Sequence, residues 1–462
     1  MTVLDLGQGA DGLTANTLST STTGDPMSHC NQCEQASHGT GCNLDASTRG
    51  VCGKDEDIQS LQEILVYGLK GMSAYASHAR RLGSSDPEVD GFVQDALFST
   101  MTNVNFDLNA TLEYVLECGK MNLRVMSMLD EAHVRVMGKP SPTVVKEGTQ
   151  SGPGVLITGH DLVDMMKLLD ACKGSSVKVY THGEMLHAHM YANLRDHPNL
   201  AGHYGGAWQK QLREFDAFPG AILATTNCVV IPRDSYKDRL FTTRQVAVPG
   251  STRIMDDDYR AVVNNAQSLP PCEDAIHGTS TVGFHHSVIL EQAGAIVDAV
   301  KAGQISRFFV IGGCDGAEVG RNYFSDYAAA CPRDSFILTL GCGKFRIREH
   351  DYGTLLGLPR LLDMGQCNDA FGAITVALAL AKAFGCGVNE LPLTLVVSWF
   401  EQKAVAVLLT LLYLGVKGIT IGPRAPAFVS PGVFKILTDR FDLRLSGPSA
   451  KADLDRAMGH AA

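Results

Sequence analysis

The feature that most constrains this chain is a series of short apolar runs, each ending on a residue able to bind a soft or borderline metal. GVLIT leads into Gly159-His160, VKVYTHG into Glu184, AILATTN into Cys228, FFVIGG into Cys314, FILTLG into Cys342 and LTLVVSWF into Glu401. Open α/β sheets place their ligand crevice outside the carboxyl ends of the strands, so runs that each deliver a His, Cys or Glu there can converge on one site. With Cys367 added, the set comprises four cysteines, one histidine and two glutamates. This mixture of soft and hard donors suits iron with both sulfide and oxygen neighbours better than it suits zinc.

A second group stands near the start of the chain. Cys30, Cys33, Cys42 and Cys52 fall within 23 residues rich in Gly, Asn, Ser and Thr. Four thiolates on one loop are what an iron-sulfur cluster or a structural zinc requires, because a small-residue backbone can wrap around the ion. The spacing alone leaves iron and zinc both open.

These segments carry a resemblance. HCNQCEQ, VCGK, TGHDL, YTHGEM, TTNC, GGCDG, GCGKFR, GQCND and WFEQKAV, from about Met27 to about Pro431, resemble the hybrid cluster protein family, also called prismane proteins or hydroxylamine reductases. The resemblance implies a [4Fe-4S] cluster, alternatively [2Fe-2S], on Cys30, Cys33, Cys42 and Cys52. It further implies a hybrid iron-sulfur-oxygen cluster on His160, Glu184, Cys228, Cys314, Cys342, Cys367 and Glu401. Cys314, in the GCDG motif, would carry an added sulfur as a persulfide in oxidised protein, and Lys403 would be the proton donor beside the cluster. Two departures stand out. Phe400 occupies a position where many members have Tyr, and only 107 residues separate Cys52 from His160, as in the short subgroup with one helical bundle reduced.

Composition fits a large enzyme rather than a nucleic-acid or membrane protein. A 462-residue chain has room for about three domains. A formal charge of −10 argues against nucleic acid or an anionic membrane as partner. The longest apolar runs, such as AVAVLLTLLYLGV at 404–416, are shorter than a membrane span and read as buried helices. Thirteen cysteines without a secretory apolar segment point to a reducing compartment, the cytoplasm, or an organelle stroma or matrix if the start of the chain is a leader remnant. Residues 1–29 contain no Lys or Arg, unlike a transit peptide, and are expected to be a disordered extension.

The pattern along the chain predicts an N-terminal helical bundle with a Cys-rich cluster loop at 30–150, followed by two doubly wound, Rossmann-like α/β domains at 151–290 and 291–462. Helical spacing runs through DIQSLQEILVYGLKGMSAYASHARRLG, GFVQDALFSTMTNVNF and ATLEYVLECGKMNLRVMSMLDEAHV. Strands then alternate with helices: VLIT, HDLVDMMKLLDAC and VKVYTH, later ILEQAGAIVDAVKAG, RFFVIGG, GAITVALALAKAFG and GITIGP. The first α/β unit would supply His160, Glu184 and Cys228 and the second the rest.

Each site residue also has a bland reading. A lone His at a helix start is more often a cap, and Glu184 or Glu401 could cap a helix or complement its dipole. The resemblance favours the ligand reading for all three. Cys118, Cys172, Cys272, Cys331 and Cys386 are read as small core residues. His285-His286 suggests a second metal or a proton path, but is read as a packed or solvated helix start and left out of the ligand set.

No phosphate loop, no G-x-S-x-G elbow and no convincing dinucleotide fingerprint is found. Electrons are therefore expected from a separate donor protein of ferredoxin or NADH-dependent reductase type, entering through the Cys30–Cys52 cluster. The expected reaction is reduction of hydroxylamine to ammonia and water, with Lys403, Glu401 and Cys314 in catalytic roles. The alternatives are nitric oxide reduction, or nitric-oxide-dependent transnitrosylation or redox sensing through Cys314. A kinship to nickel-iron carbon monoxide dehydrogenases is a further reading, disfavoured by the His, two-Glu, four-Cys set.

Overall fold

The computed structural model describes residues 30–38, 41–42 and 49–459. The expected disordered extension at 1–29 lies outside the described residues. The chain divides into two units, Met1–Glu56 and Asp57–Ala462.

In the larger unit, three helices come first: α1 (Glu56–Arg81), α2 (Pro87–Ser99) and α3 (Leu108–Met137). Asp86 caps α2 by accepting from Glu88 N, with Pro87 in the first turn, and Asp107 caps α3 by accepting from Asn109 N and Ala110 N. Both are what short carboxylates do at helix starts, where backbone N–H groups lack partners. The pattern at 91–106 reads as one helix, but α2 stops at Ser99. There the Ser99 and Thr100 hydroxyls donate back to the Ala96 and Leu97 carbonyls, and Asn103 turns to φ 63°.

The long helix α3 packs against the helix Gln402–Tyr413 at backbone distance. A Cβ at Gly119 would sit 2.1 Å from the Leu409 carbonyl oxygen. Thr410 Oγ1 donates to Gly119 O at 2.9 Å, and Asn122 Nδ2 donates to Ala406 O at 3.1 Å and to Thr410 Oγ1 at 2.9 Å. Buried polar groups held this way fix the helix along its length, and with it the turn that carries Glu401 and Lys403.

The first sheet comprises β1 (Thr143–Glu147), β2 (Gly154–Thr158), β3 (Lys178–His182), β4 (Leu200–His203), β5 (Ala221–Ala224), β6 (Leu240–Thr243), β7 (Thr252–Ile254) and β8 (Gly278–Val282). Its order is β7-β6-β5-β2-β3-β4-β1-β8, parallel except for β8, which runs antiparallel to β1. β2 and β5 are buried throughout, as the continuous apolar runs of a parallel sheet covered on both faces require. From β2 the chain steps outward one way through β3 and β4, and from β5 the other way through β6 and β7. The switch point lies between β2 and β5.

The second sheet repeats this logic. β9 (Arg307–Gly313) and β10 (Ser335–Leu340) precede a two-stranded ribbon of β11 (Thr354–Leu355) and β12 (Leu358–Pro359); β13 (Leu361–Gly365), β14 (Leu393–Ser398), β15 (Thr420–Gly422) and β16 (Arg444–Leu445) follow. The order is β13-β10-β9-β14-β15-β16, with every pairing parallel. The switch point lies between β9 and β14. Ligand crevices in such sheets form outside the strand ends at the switch points. The residues just beyond these four strands are His160, Cys228, Cys314 and Glu401.

Three sequence readings need adjustment. The helix expected to start at His160 begins as α4 (Leu162–Cys172), because Asp161 caps it by accepting from Val163 N and Asp164 N. His160 is left in the connecting turn. The run ILEQAGAIVDAVKAG breaks into His286–Leu290 and Ala293–Lys301. Cys367–Phe384 runs on from a 3-10 turn into an α-helix and, by length and composition, is apolar enough to cross a membrane, although the individual apolar runs read as too short; half of it is buried inside the protein.

Candidate metal centre

The strand-end residues meet. His160, Glu184 and Cys367 offer ligand atoms that all lie within 4.8 Å of one another. His160 Nε2 is 3.3 Å from Glu184 Oε2, Cys367 N donates to the same oxygen at 2.8 Å, and Cys342 Sγ is 3.3 Å from Glu184 Oε1. Cys228 and Cys314 lie within electrostatic reach of Glu184 and Glu401, and of each other. His160, Glu184, Cys342 and Cys367 thus come together, with Cys228, Cys314 and Glu401 in their electrostatic surroundings, each following a different one of seven strands in the two sheets.

Local sequence explains how each side chain is aimed. Gly313, at φ +111°, allows β9 to turn beside Ser398, whose carbonyl oxygen would lie 1.9 Å from a Cβ at that position. Cys314 N then donates to Ser398 O at 3.3 Å, and the Cys314 carbonyl accepts from Trp208 Nε1 and Gln209 Nε2. Cys228 itself adopts φ 66°, an unusual state for a residue with a side chain, and its carbonyl accepts from Gln211 Nε2 at 2.6 Å. His160 Nδ1 shares a hydrogen bond of 2.7 Å with Thr226 Oγ1, which orients the ring so that Nε2 faces the pocket. Glu401 caps the helix Gln402–Tyr413 through Lys403 N at 3.1 Å, so the capping reading holds for it even as it reaches the pocket.

Electrostatics test whether an iron group fits. Burial, and then the Glu401 or Glu184 carboxylate, pushes the thiols of Cys228, Cys342 and Cys367 well above their ordinary range, and Cys314 moves the same way. Burial would also raise the Glu184 carboxyl, but His160, with Lys344 and Lys403 beyond it, holds it well below the usual carboxylate range. Four thiolates and two carboxylates cannot all be ionised in one buried pocket without cations to neutralise them. Iron ions held by these donors would supply that charge, and the soft–hard mixture matches them. The residues fit the group.

Lys403 is buried, and its Nζ donates to Asn227 Oδ1 at 2.6 Å. Burial would lower its pKa, but the neighbouring Cys367 and Glu401 raise it, so it stays a cation. Asn227 Nδ2 in turn donates to Cys228 Sγ at 3.4 Å. A cavity of about 680 Å³ is lined by Lys70, His78, Arg81, Asn227, Glu401 and Lys403 among others, ample for a two-heavy-atom substrate.

The sequence reading missed Asn227, Thr226 and Tyr75. Asn227 and Thr226 immediately precede Cys228 in TTNC, and that adjacency was the available signal. Tyr75 is a buried phenol of α1 beside Cys367 and Glu401. Phe400, where a phenol was expected to be lacking, is instead largely exposed, with its ring 4.4 Å from that of Trp208.

In the N-terminal unit, Cys30 and Cys42 pack together, joined by Cys42 N donating to Cys30 O at 2.8 Å, and Val51 N approaches Cys42 Sγ at 3.4 Å. Cys33 and Cys52 are half-buried on the same loop. Among the described residues, no three of these four sulfurs close to within 4.8 Å of one another. His285 and His286 stand at a helix start, where His285 accepts from Ser287 N and its Nε2 lies 2.8 Å from Asp130 Oδ1; ligand atoms of Asp130, His285 and His286 also lie within 4.8 Å of one another. Cys118, Cys172, Cys272 and Cys331 are buried in the hydrophobic clusters, and Cys386 is half-buried.

Comparison with known proteins places the fold and the family. The carbon monoxide dehydrogenase of Thermococcus sp. AM4, in its nickel-free form, superimposes with a TM-score of 0.77 at 17% identity, covering 96% of this chain and 91% of that one. Carbon monoxide dehydrogenase IV of Carboxydothermus hydrogenoformans gives 0.75 at 14% identity, covering 96% and 94%. At such identities the likeness is one of fold. A sequence model of the Prismane/CO dehydrogenase family matches residues 28–115 and 108–455, and the chain belongs to that family. Among its relatives, the hydroxylamine reductase of Moorella thermoacetica is 57% identical over 416 residues, 90% of this chain and 96% of that protein. That of Rhodospirillum rubrum is 53% identical over 407 residues, 88% of this chain but 74% of that protein, while that of Thermotoga petrophila is 48% identical and covered over 96% of its length.

Proposed function

We propose that this protein is an iron-sulfur oxidoreductase that reduces hydroxylamine to ammonia and water with two electrons and two protons. The observation that carries the reading is the meeting of His160, Glu184, Cys342 and Cys367, with Cys228, Cys314 and Glu401 in their electrostatic surroundings and a buried, charged Lys403 among them. Those seven residues would hold a hybrid iron-sulfur-oxygen cluster, and Cys30, Cys33, Cys42 and Cys52 a second iron-sulfur cluster that relays electrons from a separate donor protein. When bound, the hybrid cluster supplies low-potential electrons and open iron positions for a small nitrogen oxide. The names of the half-identical relatives support hydroxylamine as substrate.

The chain's own residues handle the protons. Lys403 Nζ, held by Asn227, would donate a proton to the leaving hydroxyl as a general acid. Glu401 holds the Lys403 backbone N–H and so fixes the base of that side chain. All thirteen cysteines are free, in keeping with a reducing compartment.

Anaerobic turnover of purified protein with a chemical reductant tests the proposal. It predicts one ammonia per two electrons from hydroxylamine, at a rate exceeding that of nitrous oxide formation from nitric oxide. Faster nitric oxide consumption without ammonia would replace it with the nitric oxide reductase reading. Nickel in the elemental analysis would replace it with a carbon monoxide dehydrogenase-like one.

A further inference from the structure

Three of the turns that carry site residues meet at one buried lysine that the reaction above does not use. Lys344 lies two residues beyond Cys342, is 0% exposed, and donates through Nζ to Asp363 Oδ1 at 2.7 Å and to Gly365 O at 2.7 Å. Its remaining contact is with His187 Nε2, which itself lies 3.1 Å from Asp363 Oδ1. An ammonium has three donors, and each has an acceptor here. Gly365 ends β13 two residues before Cys367, and His187 stands three residues after Glu184 on the 3-10 turn Gly183–Met190. One side chain thus ties the turns that present Glu184, Cys342 and Cys367.

The contact with the site is electrostatic as well as mechanical. Lys344 is among the groups that keep the Glu184 carboxyl ionised. Within the ring of His187, burial and the Lys344 charge favour the neutral form, so Nε2 accepts from the lysine and Nδ1, which has no partner, carries the proton. Burying an ammonium is costly unless it is fully paired, and where only packing is needed an apolar side chain does as well. The bland reading is a buried ion pair that specifies the fold and nothing more.

We infer that Lys344 is a positioning residue for the metal centre. It fixes Glu184, Cys342 and Cys367 relative to one another and keeps a positive charge behind them, so that both the geometry and the reduction potential of the centre depend on it. The inference rests on the reading of those residues as cluster ligands.

The test is an anaerobic redox titration of the iron-loaded full chain, followed by electron paramagnetic resonance, on wild type, Lys344→Met and Asp363→Asn. Wild type must first show a centre distinct from the N-terminal cluster; its absence would defeat the ligand reading rather than this one. Lys344→Met is expected to alter the line shape of that centre and shift its midpoint to lower potential, while the N-terminal cluster, the internal control, stays put. Asp363→Asn keeps an acceptor oxygen for Lys344 but removes a negative charge, and is expected to shift the midpoint the opposite way. It serves alone if Lys344→Met does not accumulate as folded protein. Either folded variant showing an unchanged line shape and midpoint, with only its thermal stability lowered, would overturn the inference.

Discussion

The two cysteine groups of this chain are built in opposite ways. Cys30 to Cys52 lie on one loop of 23 residues, so local backbone turns, such as the Gly50–Gly53–Lys54 hydrogen bonds, decide how its sulfurs are presented. The residues from His160 to Glu401 are spread over 242 positions and are brought towards one another only because two largely parallel sheets deliver them at their strand ends. A local loop can adjust to its ion. A site assembled by topology is fixed by the fold before any ion arrives, and its surroundings can be tuned by side chains distant in sequence.

The contrast can be broken most severely at Cys367, whose backbone N–H and thiol both face Glu184. Cys367→Ala should abolish hydroxylamine turnover and lower the iron content by the share of one cluster, while leaving the loop's cluster spectrum intact. Loss of both clusters together would show that the two sites are not independently built. Next, Lys403→Met should lower turnover by roughly 10²–10⁴-fold, the range for a general acid, with little change in iron content; unaltered turnover would remove it from the chemistry.

Cys33→Ser probes the loop from the other side. Turnover driven by a protein donor should fall several-fold, while turnover driven by a small chemical reductant that reaches the strand-end centre directly should change little. Equal losses in both assays would argue against a relay.

The smallest expected effect concerns the scaffold alone. Glu214 is held below its ordinary carboxyl range: burial would raise it, but His182 Nε2 at 3.0 Å and the Gly206 N–H overcome this. A carboxyl with a lowered folded pKa stabilises the fold fully above its unfolded pKa and loses that contribution as pH falls through the folded value. Glu214→Gln should therefore cost about 1–3 kcal/mol in denaturant unfolding at pH 7, with the difference from wild type narrowing below pH 4. A constant difference across that range would assign the loss to packing.

Much of this was legible in the sequence because strands and ligands were adjacent. Each apolar run ended within a few residues of a donor, and parallel-sheet geometry does the rest. The partners of those donors were not legible. Lys344 meets His187 across 157 positions, and Lys403 meets Asn227 across 176, so no local spacing announces either pair. Tyr75 was missed for a related reason: on α1 it sits at an ordinary buried position of an amphipathic helix, and only the packing of that helix beside the site gives its phenol a role. Helix ends were misjudged where side chains, rather than apolar periodicity, set the boundary, as with Asp161 before α4 and the hydroxyls of Ser99 and Thr100 after α2.

Diffraction data collected on either side of the iron absorption edge from anaerobically purified crystals test the central claim most directly. The account predicts a compact group of iron peaks bounded by the Sγ atoms of Cys228, Cys314, Cys342 and Cys367, with His160 Nε2 and the Glu184 and Glu401 carboxylates within bonding distance. Iron confined to the loop of Cys30 to Cys52, with no anomalous density among the strand-end residues, would contradict it.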